Sequence, residues 1–226
     1  MKYLFLTLLV AAFGGSLVMA EAGTVKGTIS ANPVGAPKPI KITKDPQVCG
    51  KKIPLVDESL LVSKSGGLKN AIVEIIGAGK AKPGKVSLTQ EGCHFDPHVF
   101  VIPAASDLVV NNKDGLMHNF HSFAFENDPV NFAQPGEMKT KVVKGENFEF
   151  PEIVQIKCDV HEWMMSWALV TESAYVAVTD ANGNFSIPNV PPGNYKIKVW
   201  HETLGEKEQD IAVKDGATAF NFKMAK

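Results

Sequence analysis

Val154-Gln155-Ile156-Lys157-Cys158-Asp159-Val160-His161-Glu162-Trp163-Met164-Met165-Ser166-Trp167-Ala168-Leu169-Val170 is the stretch on which the reading of this chain turns. Val154 to Lys157 alternates apolar and polar residues, the period of a half-buried strand, and Ser166 to Val170 is a second short apolar run. Cys158 to Met165 therefore reads as a loop joining two strands. A thiolate, an imidazole and a thioether displayed from one short loop are soft ligands, which suit copper far better than magnesium or calcium.

Such a set needs a second imidazole. His118 offers one in Asn111-Asn112-Lys113-Asp114-Gly115-Leu116-Met117-His118-Asn119, a polar turn that follows the strand-like Asp107 to Val110. Two histidines and one cysteine in a trigonal set, with a weak axial methionine, form the ligand chemistry of a blue-copper electron-transfer site. Zinc also accepts two histidines and a cysteine with an open fourth position, but no general base stands beside these residues. Covalent haem attachment needs Cys-x-x-Cys-His, which the chain lacks. The plain alternative is a buried thiol and a satisfied loop histidine, which explains each residue singly but not the ordered set with His118.

On these residues the middle of the chain resembles the cupredoxin family. His118-Asn119 matches the upstream ligand motif, and Cys-x-x-His-x-x-Met at Cys158, His161 and Met164 matches the short ligand loop of its amicyanin-type members. Phe95-Asp96-Pro97-His98-Val99 with Val101-Ile102-Pro103 is similar to the strand that opens that fold. The resemblance implies a Greek-key β-sandwich holding one type 1 copper ion, with His118, Cys158 and His161 as strong ligands and Met164 as the axial one. Met165 is the competing axial candidate, because longer family loops place the methionine later. The resemblance also makes Asn119 the first candidate for a hydrogen bond to the thiolate. Trp163 reads either as a shield and docking patch beside His161 or as plain core packing. His94, His98 and His121 are left outside the ligand set, with His121 as first reserve, since spare imidazoles are more often satisfied polar residues.

The first twenty residues bear on the compartment. Lys2 precedes an apolar run from Tyr3 to about Val18, which ends Val18-Met19-Ala20 with short side chains where a signal peptidase cuts. The expectation is a signal peptide over 1–20 and a periplasmic or secreted protein with no membrane span after cleavage. A membrane anchor is the rival, and the run lies near the lower limit for spanning a bilayer. An oxidising compartment favours disulfides. Cys49 and Cys93 both sit beside glycine in turn-like surroundings, whereas Cys158 ends a strand, so the economical pairing is Cys49 with Cys93. Sequence alone does not fix that connectivity.

Among 226 residues Lys+Arg is 23 against Asp+Glu 24, and the basic residues are all lysine. Without guanidinium forks or a basic stripe, nucleic acid is not expected as a partner. The near-neutral balance points to no particular partner surface either.

From Tyr175 the pattern becomes short alternating runs. Asn182-Gly183 reads as a hairpin turn and Pro192-Gly193 as another turn, with further strands at Asp210–Val213 and Ala219–Phe222. Thr179-Asp180-Ala181-Asn182-Gly183-Asn184-Phe185 and Pro191-Pro192-Gly193-Asn194-Tyr195 resemble the carboxypeptidase regulatory-like, or transthyretin-like, β-sandwich. That segment is short for a core of its own, and Gly23–Ser30 and Leu68–Ile75 alternate as its missing strands would.

The expected organisation is all-β. A discontinuous regulatory-like sandwich spans 21–80 and 172–226, and the cupredoxin domain at 81–171 is inserted in it. The competing parse is a cupredoxin with a long N-terminal extension and a C-terminal module. The function expected is that of an exported carrier of single electrons between redox partner proteins, not an enzyme. A copper-binding protein for tolerance or delivery, and a structural or adhesion protein with a vestigial site, are the rivals.

Overall fold

The computed structural model describes residues 22–225 of the chain, so the signal-peptide reading of Met1–Ala20 lies outside the described residues. Two strands come first, β1 (Gly23–Ser30) and β2 (Ile72–Ile76). The middle of the chain holds β3 (Lys85–Gln90), β4 (Phe95–Asp96), β5 (Val99–Pro103), β6 (Asp107–Asn112), β7 (His118–Phe123), β8 (Asn131–Gln134), β9 (Thr140–Val143), β10 (Glu152–Lys157) and β11 (Met165–Thr171). The last part adds β12 (Val176–Val178), β13 (Asn184–Val190), β14 (Gly193–His201), β15 (Gly205–Val213), β16 (Ala217–Ala219) and β17 (Phe222–Lys223). The chain is all-β. Among the described residues the one helical element is a short 3-10 turn at Gly145–Asn147, and no helix is long and apolar enough to cross a membrane.

The strands form four sheets. In the middle of the chain one sheet runs β5-β11-β10-β7-β8 and the other β4-β3-β6-β9. Their inward faces share one core, in which Leu88, Leu108 and Val110 meet Phe100, Phe120, Val154, Ile156 and Ala168. The alternation that marked Val154–Lys157 as a strand is the reason: Val154 and Ile156 point inward and Gln155 and Lys157 outward.

The other two sheets draw on both ends of the chain. β1 lies between β13 and β16 and also pairs with β17, while β2 lies between β12 and β14, with β15 beyond. Val25, Ile29, Val73 and Ile75 from the early strands pack against Phe185, Ile187, Ile197 and Ile211 from the late ones. The two sandwiches meet through a third cluster: Ile72 on β2 packs with Val99 on β5 and Leu169 on β11, flanked by Trp167 and Trp200. Polar groups cross the same seam. Glu202 accepts from Trp167 Nε1 at 2.9 Å and pairs with His98 Nε2 at 2.5 Å, and Thr171 Oγ1 donates to Glu74.

Two local expectations need correction. The middle unit opens on β3, not on Phe95–Pro103. That segment is split into β4 and β5 at the cis peptide Asp96-Pro97, and proline supplies no ladder N–H there. Asn182-Gly183 does form a turn, with Gly183 N–H donating to Asp180 O at 2.9 Å and Gly183 at φ 77, but the strands it joins lie in opposite sheets. β12 pairs with β2 and β13 with β1, so the turn is a crossing between layers and not a hairpin. The hairpin of this region is β14–β15, which closes at His201 opposite Gly205.

Candidate metal centre

β10 and β11 are antiparallel neighbours, and the loop Cys158–Met164 joins them. The loop is short and tied at its neck: Cys158 N–H donates to Met164 O at 3.2 Å, and Met164 N–H to His161 O at 2.8 Å. β7 pairs with β10 on the other side, His121 lying opposite Lys157, so the start of β7 reaches the same end of the sandwich as the loop. His118 shares the inward face with Phe120 and Ser122, while His121 takes the opposite one. That period-two geometry separates the two imidazoles. His121 Nδ1 faces the Asp159 carboxylate at 3.2 Å and remains outside the cluster.

One ligand atom each from His118, Cys158 and His161 falls within 4.8 Å of the others. All three residues are buried, His118 and His161 at 0% exposure and Cys158 at 1%. His118 Nδ1 lies 3.1 Å from His161 Nδ1, and Cys158 Sγ lies 3.9 Å from His161 Nδ1. Both Nδ1 atoms thus face the sulfur side. Both Nε2 atoms are held by carboxylates, His118 by Asp114 at 2.9 Å and His161 by Asp45 at 3.0 Å. A ring whose outer nitrogen donates to a carboxylate presents its inner lone pair to a cation, in a fixed tautomer and orientation.

Cys158 is the free cysteine, and two backbone amides point at its sulfur, Asn119 N–H at 3.3 Å and His161 N–H at 3.4 Å. Burial pushes this thiol up, but hydrogen bonds from the two imidazoles and the two amides outweigh it and bring it down to about 6. A buried sulfur is therefore held as thiolate, the form that binds metal. Burial depresses His118, yet its bonds to Asp114 and to the thiolate raise it above the ordinary imidazole range. Asp114 is lowered despite burial by His118 and by the Cys93 and Gly92 amides. Asn119 contributes to the thiolate through its backbone. Its side chain accepts from Asp159 N–H at 3.1 Å and so braces the loop.

Met164 and Met165 are on different faces. Met164 is 1% exposed within the core that holds Cys158. The Met165 sulfur accepts from Gln155 Nε2 at 3.0 Å, on the outer face of its strand. Trp163 packs against the core with its ring edge-on to His161, and its Nε1 donates to Cys93 O at 3.0 Å. His94 and His98 lie elsewhere. His94 Nε2 meets Glu58 at 2.6 Å, and His98 sits between Met165 O and Glu202.

Cys49 and Cys93 form a disulfide, so their sulfurs do not compete as thiolates, although they lie within 4.8 Å of the His161 ring nitrogen. The bond ties the turn Asp45–Gly50 over His161. Val48 and Cys49 N–H donate to Asp45 O at 3.0 and 2.9 Å, and Asp45 adopts φ 48, a conformation that aspartate tolerates. Asp45 and Asp114 are the functional residues that sequence reasoning missed. Asp114 lies in the polar turn before His118 and Asp45 four residues before Cys49, but an aspartate in a polar turn resembles any solvated turn residue.

Residues 168–225 match the family model of the carboxypeptidase regulatory-like domain. Among curated proteins no significant match to the chain is found. Solved structures similar to part of the chain include a copper-containing nitrite reductase from Thermus scotoductus SA-01, at 22% identity and TM-score 0.33 over 43% of this chain and 24% of that one. The chain thus spans about a quarter of that enzyme's length. A purple cupredoxin from Nitrosopumilus maritimus is 15% identical, with TM-score 0.31, over 38% of this chain and 99% of its own. A Cu(I) form of an amicyanin variant is 13% identical, with TM-score 0.29, over 44% of this chain and 98% of its own.

Proposed function

We propose that the chain is a type 1 copper protein that carries single electrons between redox partner proteins, without transforming a substrate. The observation that carries this reading is the buried convergence of one low-pKa thiolate and two carboxylate-braced imidazoles. The donor set suits copper: one soft sulfur and two nitrogens are present, while an all-oxygen cage for magnesium or calcium is missing from this cluster. His118 and His161 would bind through Nδ1 and Cys158 through Sγ, with Met164 as axial ligand. The burial of Met164, set against the outward hydrogen bond of Met165, supports that choice. Bound there, copper supplies one-electron chemistry.

The chain's own part is to hold the donors still. Two amides fix the sulfur, Asp114 and Asp45 fix the rings, and Asn119 and Trp163 fix the loop, so little has to rearrange when the charge of the site changes. The same reading takes 21–80 and 172–226 as one regulatory-like module, with 81–171 inserted in it and 1–20 as an export signal. The pairing of β1 with β13 and of β2 with β14 supports this parse. It places the protein in the periplasm or outside the cell.

The test is optical and paramagnetic spectroscopy of the purified chain with copper added. An intense thiolate-to-copper visible band with reversible one-electron cycling is expected, and it should vanish completely in Cys158→Ser. Tight, colourless Cu(I) binding without cycling would move the assignment to copper handling. Absence of any stoichiometric metal would leave a structural module.

A further inference from the structure

His161 has no face open to solvent. Its outer nitrogen is capped by Asp45, and Asp45 belongs to an arm formed by residues 38–57. This arm folds back on itself through Ile40 N–H to Leu55 O at 2.9 Å and Asp57 N–H to Lys38 O at 2.8 Å. The Cys49–Cys93 bond pins the arm to the middle sandwich. An approaching protein therefore meets the arm before it meets the imidazole.

The surface of the arm has a marked charge. Lys38, Lys41, Lys44, Lys51 and Lys52 are all exposed, in a chain whose formal net charge is -1. Of the two acids in the same segment, Asp45 is turned inward to His161, and Asp57 accepts from Ser59 N–H. Lys113 adds a further positive charge from the turn before β7, and Glu91 is shared between Lys52 at 3.0 Å and Lys113 at 3.5 Å. On the ligand loop, Asp159 faces His121, and a cavity of about 430 Å³ is lined by Lys38, Lys41 and Lys157 together with Asp57, Glu58 and Glu162, so the lysine excess lies on the outer part of the arm, at Lys44, Lys51 and Lys52. Ile53, 44% exposed, gives the arm an apolar contact point. On a near-neutral molecule, a local excess of lysine sets the orientation of encounter more than it sets final affinity.

We propose that this lysine-bearing arm, over the covered His161, is the docking surface for the redox partner, and that the partner is a protein presenting a carboxylate-rich face. The partner accepts or supplies one electron and no atom is transferred. The proposal rests on the copper reading for the electron, but not for the docking.

Two measurements separate those parts. First, a short poly-glutamate peptide is titrated into the metal-free protein by calorimetry, with Lys44→Glu, Lys51→Glu and Lys52→Glu combined as the variant. Binding that weakens with salt, and falls by about tenfold or more in the variant, is expected. Equal binding by both proteins, or none by either, overturns the proposal. Second, the copper-loaded reduced protein is oxidised by hexacyanoferrate(III) or by tris(phenanthroline)cobalt(III). The anionic reagent should lose rate as ionic strength rises and should slow several-fold in the variant while the visible band stays unchanged. Indifference of both reagents to the three charges overturns the proposal. Peptide binding in a protein that never shows the band would instead sink the copper reading.

Discussion

The two sandwiches of this chain have comparable aliphatic interiors and both bury polar side chains, but among the described residues only the middle one gathers two imidazoles around a free thiol. The module built from β1, β2 and β12–β17 packs Val, Ile, Leu, Ala, Phe and Met in its core and buries Thr179 and His201 singly, each bonded to nearby backbone. The middle sandwich places Cys158 within its core, and two fully buried imidazoles lie against that sulfur. Unpaired, such groups would each cost several kcal/mol to desolvate, so each has been given partners: two amides for the sulfur and a carboxylate for each ring. The added polar end is what distinguishes the middle sandwich, and the arm and disulfide that hold Asp45 in place belong to it.

Removing the disulfide should have the largest effect on stability. For Cys49→Ser with Cys93→Ser, the sequence separation of 44 corresponds to a loss of about 4 kcal/mol by loop-closure entropy. Chemical denaturation should show the loss, and the arm should open to proteolysis at Lys44, Lys51 and Lys52. A variant that keeps its stability and its resistance there would break the link between the arm and the middle core.

Next comes a cavity in the other sandwich. Ile29→Ala removes a fully buried side chain from β1 and should cost about 3 kcal/mol. Because Ile29 packs with residues of the late strands, hydrogen exchange in β13 and β14 should quicken, while the copper band, measured well below the unfolding midpoint, keeps its intensity. Unchanged exchange in those strands would favour a free N-terminal extension over the discontinuous module.

The smallest effect concerns the junction side of the middle sandwich. Burial pushes the Glu58 carboxyl up, but the hydrogen bond from His94 and the charges of His98, His94 and Lys69 hold it down at about 2. A carboxylate lowered on folding stabilises above its ordinary titration range, and that contribution is lost as the pH falls from about 4.5 towards about 2. His98 runs the other way. Burial lowers it, but Glu202 and Glu58 raise it overall, so its contribution is complete below pH 6.5 and disappears as the pH rises through its folded value. Urea midpoints against pH should therefore flatten on the acid side in Glu58→Gln. An unchanged acid limb would mean that Glu58 is not held as described.

The part of the site that was legible in sequence came from scarce residue types at short spacing. Cys158, His161 and Met164 share one loop, and His118 begins the strand beside it, so little tertiary information was needed to group them. Cys49 and Cys93 were legible by their turn-like settings. Asp45 lies more than a hundred residues before His161, and only the closed arm brings them together, so no local pattern could pair them. β3 was missed although Val86 and Leu88 alternate with polar neighbours, the same signal that revealed β10. Asn182-Gly183 revealed a turn but not its destination, because turn chemistry fixes the local backbone and not which sheet the next strand joins. His201-Glu202 after Trp200 reads in sequence as a strand-end polar pair or a contact point with the middle domain, and nothing local names His98 and Trp167 as the partners of Glu202.

Copper-edge X-ray absorption on the loaded protein tests the central claim most directly, because it reports the donor atoms themselves. The expected result is one sulfur and two imidazole nitrogens in the first coordination sphere, with the sulfur lost in Cys158→Ser. A sphere of nitrogen and oxygen alone in the unaltered chain would contradict the assignment of Cys158, His118 and His161 to a single copper ion.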